Sequence, residues 1–110
     1  MKLCDFENNF IFKTTINLDD ENFIILKEPE LKDISKLSKA EEDETKMIQM
    51  FGEILPSCII DSSFENENGE KASGKEIAEM LKKSGSMFPE IIGTWIKSIP
   101  FHQRLQNTQK

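Results

Sequence analysis

The side chains in this sequence that could do chemistry are few, and their spacing rules out most of what they could do. The single histidine, His102, stands in the polar segment HQRLQNTQK. A Ser/His/Asp or Cys/His arrangement needs its imidazole held rigidly beside the nucleophile, which a segment with one apolar residue cannot do. Two cysteines are present, Cys4 and Cys58. They could pair, but MKLCDFENN has no apolar run behind its lysine, so no signal peptide is read and a reducing compartment is expected. Cys58, between Ser57 and Ile59, then reads as a small core hydrophobe, and Cys4 as an exposed, inert thiol. No CxxC, HExxH, GxGxxG or P-loop spacing occurs. The turn FENENGEKA, Phe64 to Ala72, invites a calcium-loop reading. With the glycine at Gly69, that register needs an oxygen ligand at Phe64 and a glutamate at Lys75, and both fail. Every other carboxylate has a simpler role as cap, turn or solvated face. The expectation is a non-enzymatic chain with no catalytic residue, no metal and no cofactor.

What remains is apolar. Met47, Met50, Met80, Met87 and Phe88 all map to apolar faces, where core packing is the default. They also exceed what so short a domain needs. Unbranched thioethers re-pack against varied partners, so these five residues are the candidate partner-binding surface.

Bulk properties narrow the partner. Fourteen basic against 20 acidic residues leave a net charge of −6. Such a surface repels phosphate backbones and anionic membranes, and no basic stripe interleaves with aromatics, so no nucleic acid is expected. The longest apolar runs fall far short of the roughly 20 residues that span a bilayer. A cytoplasmic protein with a protein partner follows. Its 110 residues suit one domain over 1–101, followed by a polar, flexible tail over 102–110.

The elements that must position these residues are organised around Met47 to Asp61. Met47, Ile48, Met50, Phe51, Ile54 and Leu55 recur with helical spacing, Pro56 should stop that helix, and Cys58-Ile59-Ile60 follow as a short apolar run. Upstream, Phe10 to Leu18 alternates like a strand and Phe23 to Leu26 reads as a second, with the acidic turn Asp19 to Asn22 closing a hairpin. Pro29 opens a short helix carrying Leu31, Ile34 and Leu37. Ser38 with Glu41 fits a capping box for the central helix, whose acidic first turn suits the helix dipole. Ser73 with Glu76 repeats that spacing before a helix with Ile77, Met80 and Leu81 inside, and Ser84-Gly85 should end it in a left-handed turn. The last helix, Met87 to Ser98, carries Phe88, Ile91, Ile92, Trp95, Ile96 and Ile99. Gly93 within it predicts a close helix approach. The predicted fold is α+β, mostly α, an N-terminal β-hairpin on about four helices, with Trp95, Phe51, Leu55, Ile54, Ile91 and Ile77 largely buried.

Residues Phe23 to Phe101 also carry an ordered set of pieces: FIILKEPELKDISKLS, then ILPSCIIDSSFENENGEKAS, then KEIAEML, then FPEIIGTWIKSIPF. Together, with the LP-x-C-I-x-D knuckle before a polar turn and the W-x-x-x-x-P-F close, they resemble the tail assembly chaperones of long-tailed bacteriophages and prophages, the lambda-type group. Each piece is short. The resemblance implies a non-enzymatic protein of the host cytoplasm that binds the tape-measure protein and helps recruit tail-tube subunits, with no active-site residue to carry over. In many members a ribosomal frameshift appends a second domain, and the polar tail after Phe101 is where one could start. Homo-oligomerisation is left open. The competing reading is a small phage or bacterial protein-protein interaction adaptor unrelated to tail assembly.

Overall fold

A computed structural model describes residues 1–37 and 43–100. The polar tail and the Ser38/Glu41 capping box lie outside the described residues. Alternating β-branched residues make β1 (Lys13–Asn17) and β2 (Phe23–Lys27) an antiparallel hairpin in which Ile16 faces Ile24 and Thr14 faces Leu26. Asp19 shapes the connecting turn. Its carboxylate accepts from the Asn22 side-chain amide and from the backbone N–H groups of Glu21 and Asn22, and these bonds hold it below the ordinary 3.8.

The expected hairpin is in fact a three-stranded antiparallel sheet, ordered β1-β2-β3. The third strand, β3 (Ile59–Ser62), is the short apolar run after Pro56. One step along β2, from Ile25 to Leu26, spans two along β3, from Asp61 to Ile59. This bulge leaves Ile60 unpaired and 44% exposed.

Five helices complete the described residues: α1 (Leu3–Phe10), α2 (Leu31–Leu37), α3 (Glu44–Cys58), α4 (Gly74–Leu81) and α5 (Met87–Ser98). The helix α1 replaces the expected start of the first strand at Phe10. Leu3, Phe6 and Phe10 have helical spacing, and the Phe6 and Phe10 rings lie 5.2 Å apart, but α1 buries none of its residues. In α3, Asp43 caps the first turn by accepting from the Lys46 N–H, and the helix continues through Pro56 to Cys58 instead of stopping. Proline deletes one ladder bond, and burial of Leu55 and Cys58 on either side of it offsets that loss.

The core forms where α3, α4 and α5 cover one face of the sheet. Ile24 and Leu26 from β2, Phe51 and Leu55 from α3, and Ile92 and Trp95 from α5 are fully buried. The Trp95 ring meets Phe51 edge-on at 5.0 Å and 81°. A 2.6 Å contact between the Thr14 and Ser98 hydroxyls ties β1 to α5. Ile54 is only half-buried, at the margin of this core.

Glycine placement departs from expectation. A Cβ on Gly93 would meet nothing within 4 Å. A close helix approach lies instead at Gly52 in α3, where a Cβ would come within 2.9 Å of the Phe88 ring of α5. Gly85 does not adopt the left-handed conformation. Among the described residues only Gly69 has a positive φ, +79°, in the loop after β3.

Candidate partner-binding surface

The five candidate residues come from three helices and do not share one groove. Met47 and Met50 are half-buried along α3, packed on the margin of the core, and Phe88 is half-buried over Gly52. Met80, expected on the inner face of α4, is 63% exposed. Ile77, Ala78 and Leu81 take the inward positions, and a helix this short buries only a narrow stripe. Met87 is 40% exposed at the start of α5.

Met80 and Met87 belong to two separate hollows. Met87 lines one of about 320 Å³ with Ile16 and Leu18 of the hairpin and Ile91 of α5. Met80 lines the larger one, about 420 Å³, between α4 and the loop after β3. Both walls of this larger hollow are set by local chemistry. The helix wall starts at a complete capping box. Ser73 Oγ accepts from the Glu76 N–H at 3.1 Å, and Glu76 Oε1 accepts from the Ser73 N–H at 3.0 Å.

The loop wall is a small hairpin of its own. Glu65 pairs with Lys71, and the Ala72 N–H donates to the Phe64 carbonyl. The Asn66 side chain accepts from the N–H groups of Asn68 and Glu70, and Gly69 makes the turn. An ion pair between Lys71 and Asp61 anchors the loop to β3, and that bond with the Ser62 N–H holds Asp61 below the ordinary 3.8. Phe64 and Ala72, at the two ends of the loop, fold inward as part of the hollow. They were not singled out from sequence. The available signal was their placement four residues either side of Asn68, beside the turn-forming Gly69, which marks two apolar residues meeting across a turn.

A third, polar hollow of about 300 Å³ is lined by Lys27, Lys32, Asp33 and Glu53, with Cys58 at its margin. Cys58 is 2% exposed, and burial pushes its thiol from 9.0 up to about 11. It is a packed side chain and a poor nucleophile at neutral pH. Cys4 is free and exposed. Native protein at pH 8 should therefore react with a disulfide reagent at one thiol per chain, and at two after denaturation. Rapid native modification of Cys58 would contradict its burial. Because the raised value favours the neutral thiol in the folded state, this contribution is complete below pH 9 and is lost as pH rises from 9.0 through about 11.

Among the described residues, no three His, Cys, Asp or Glu side chains are grouped to hold a metal ion, and no helix is long and apolar enough to cross a membrane. No protein-family model, curated protein or solved structure matches this chain.

Proposed function

We propose that this chain is a non-enzymatic tail assembly chaperone of a long-tailed phage, binding an apolar helical segment of a tape-measure protein and helping recruit tail-tube subunits in the host cytoplasm. The ordered pieces between Phe23 and Phe101 carry the reading. The open hollow beside the exposed Met80 supports it, because helix-in-groove binding uses such apolar, adaptable surfaces. The net charge of −6 would keep the free chaperone soluble and self-repelling.

Co-expression with the adjacent tape-measure gene product, followed by a pull-down at low and high salt, tests this. Capture should persist at high salt, since an apolar contact is screened little, and calorimetry should show a negative heat-capacity change. A tape-measure protein that is equally soluble and uncaptured with and without this chain would refute the chaperone role. The adaptor reading would then gain, and more so if no tube-protein or long coiled-coil gene lies beside this one.

A further inference from the structure

The hollow beside α4 is chemically lopsided. Its floor is Phe64, Ala72, Ile77, Met80 and Leu81, whereas the charged side chains that line it are Glu65, Glu67 and Glu76, with no lysine or arginine among the described residues. Glu65 and Glu67 are exposed, and Glu76 commits Oε1 to the helix cap. An apolar floor inside an anionic rim complements a particular ligand class, one with apolar anchors flanked by cations.

We propose that this hollow is the docking site for a cationic amphipathic helix of a partner protein. The apolar anchors of that helix lie on Phe64 and Met80, and its lysines or arginines face the three glutamates. The assignment rests on the chaperone reading and adds the place and chemistry of the segment held. The apolar floor carries most of the affinity, and the exposed rim sets orientation and association rate. A second copy of the chain is a poorer occupant. Its exposed α1 offers Leu3 and Phe6, but those eight residues carry Asp5 and Glu7 and no basic residue, which brings like charge to the rim.

The test uses full-length protein and a designed helical peptide of about 18 residues, roughly five turns, with leucine at i, i+3, i+4 and i+7 and lysine elsewhere. Three controls accompany it: the same leucines with glutamate for lysine, a scrambled lysine/leucine peptide, and residues 1–12 of this chain. The lysine peptide should bind at least about tenfold more tightly than any control. Met80→Ser, at a position already 63% exposed, should weaken it about tenfold or more with an unchanged circular-dichroism spectrum. The double variant Glu65→Lys with Glu67→Lys should favour the glutamate peptide instead. Unchanged binding in these variants, or equal binding of the scrambled peptide, would overturn the assignment. Tighter binding of residues 1–12 would overturn it in favour of contact between copies. Repeating the tape-measure co-expression separates the two readings. Solubilisation that survives Met80→Ser removes the hollow and keeps the chaperone. Peptide docking without solubilisation by the wild-type protein removes the chaperone and keeps the hollow.

Discussion

Trp95→Ala should lower the melting temperature by more than about 10 °C. The indole is fully buried among α3, α5 and the sheet and stands edge-on to Phe51. Truncating such a side chain removes its transfer energy and leaves a cavity, typically about 3–5 kcal/mol. Each kcal/mol moves the midpoint of a domain this size by roughly 4–8 °C. One feature of the site tempers the loss. Trp95 Nε1 is buried without a hydrogen-bond partner among the described residues, and a buried donor adds to stability only when it is paired. Trp95→Phe keeps an aromatic ring against Phe51 and removes that donor, so it should cost clearly less than Trp95→Ala. Thermal melts followed by circular dichroism compare the three proteins, since both variants lose the only tryptophan. An unchanged melt for Trp95→Ala would mean that α5 is not part of the core.

Gly74→Ala and Gly93→Ala should move stability in opposite directions, although both replace a helical glycine. A Cβ on Gly74 would run into the carbonyl oxygen of Pro56, with the Pro56 carbonyl carbon 3.3 Å away and Ile59 Cβ 3.5 Å away. The obstacle is backbone in the last turn of α3, so no side-chain rotation relieves it. The start of α4 must shift off α3, at a cost of about 2–3 kcal/mol by analogy with overpacked cores. At Gly93 a Cβ meets open space, and alanine gains up to about 1 kcal/mol through helix propensity. Denaturant melts of both variants decide the matter. Stabilisation by Gly74→Ala would mean that α4 does not dock on α3 as described. Because α4 is one wall of the larger hollow, the Gly74 variant should also weaken binding of the lysine-rich helical peptide.

The elements of this protein were mostly legible in the chain, because they follow from interactions between residues close in sequence. Ser73 and Glu76 close their capping box within one turn, Asp19 organises its own hairpin loop, and the stripe from Phe88 to Ile99 needs only helical periodicity. The short apolar run Ile59 to Ser62 is different. Nothing in four residues selects a strand, and its pairing depends on β2, which lies more than thirty positions earlier. The glycines divide in the same way. Gly69 makes its turn from local sequence, whereas Gly52 and Gly74 matter only through what tertiary packing brings against them, the Phe88 ring and the Pro56 carbonyl. Pro56 itself could not reveal that α3 continues past it, since burial of Leu55 and Cys58 decides that. The candidate surface shows the divide most plainly. By itself the sequence determined which side chains are large, flexible and apolar. Only the tertiary structure decided that Met47 and Met50 pack on the core, that Met80 and Met87 face different hollows, and that Phe64 joins Met80. Exposure depends on which neighbours arrive from distant parts of the chain, and helical spacing carries no record of them.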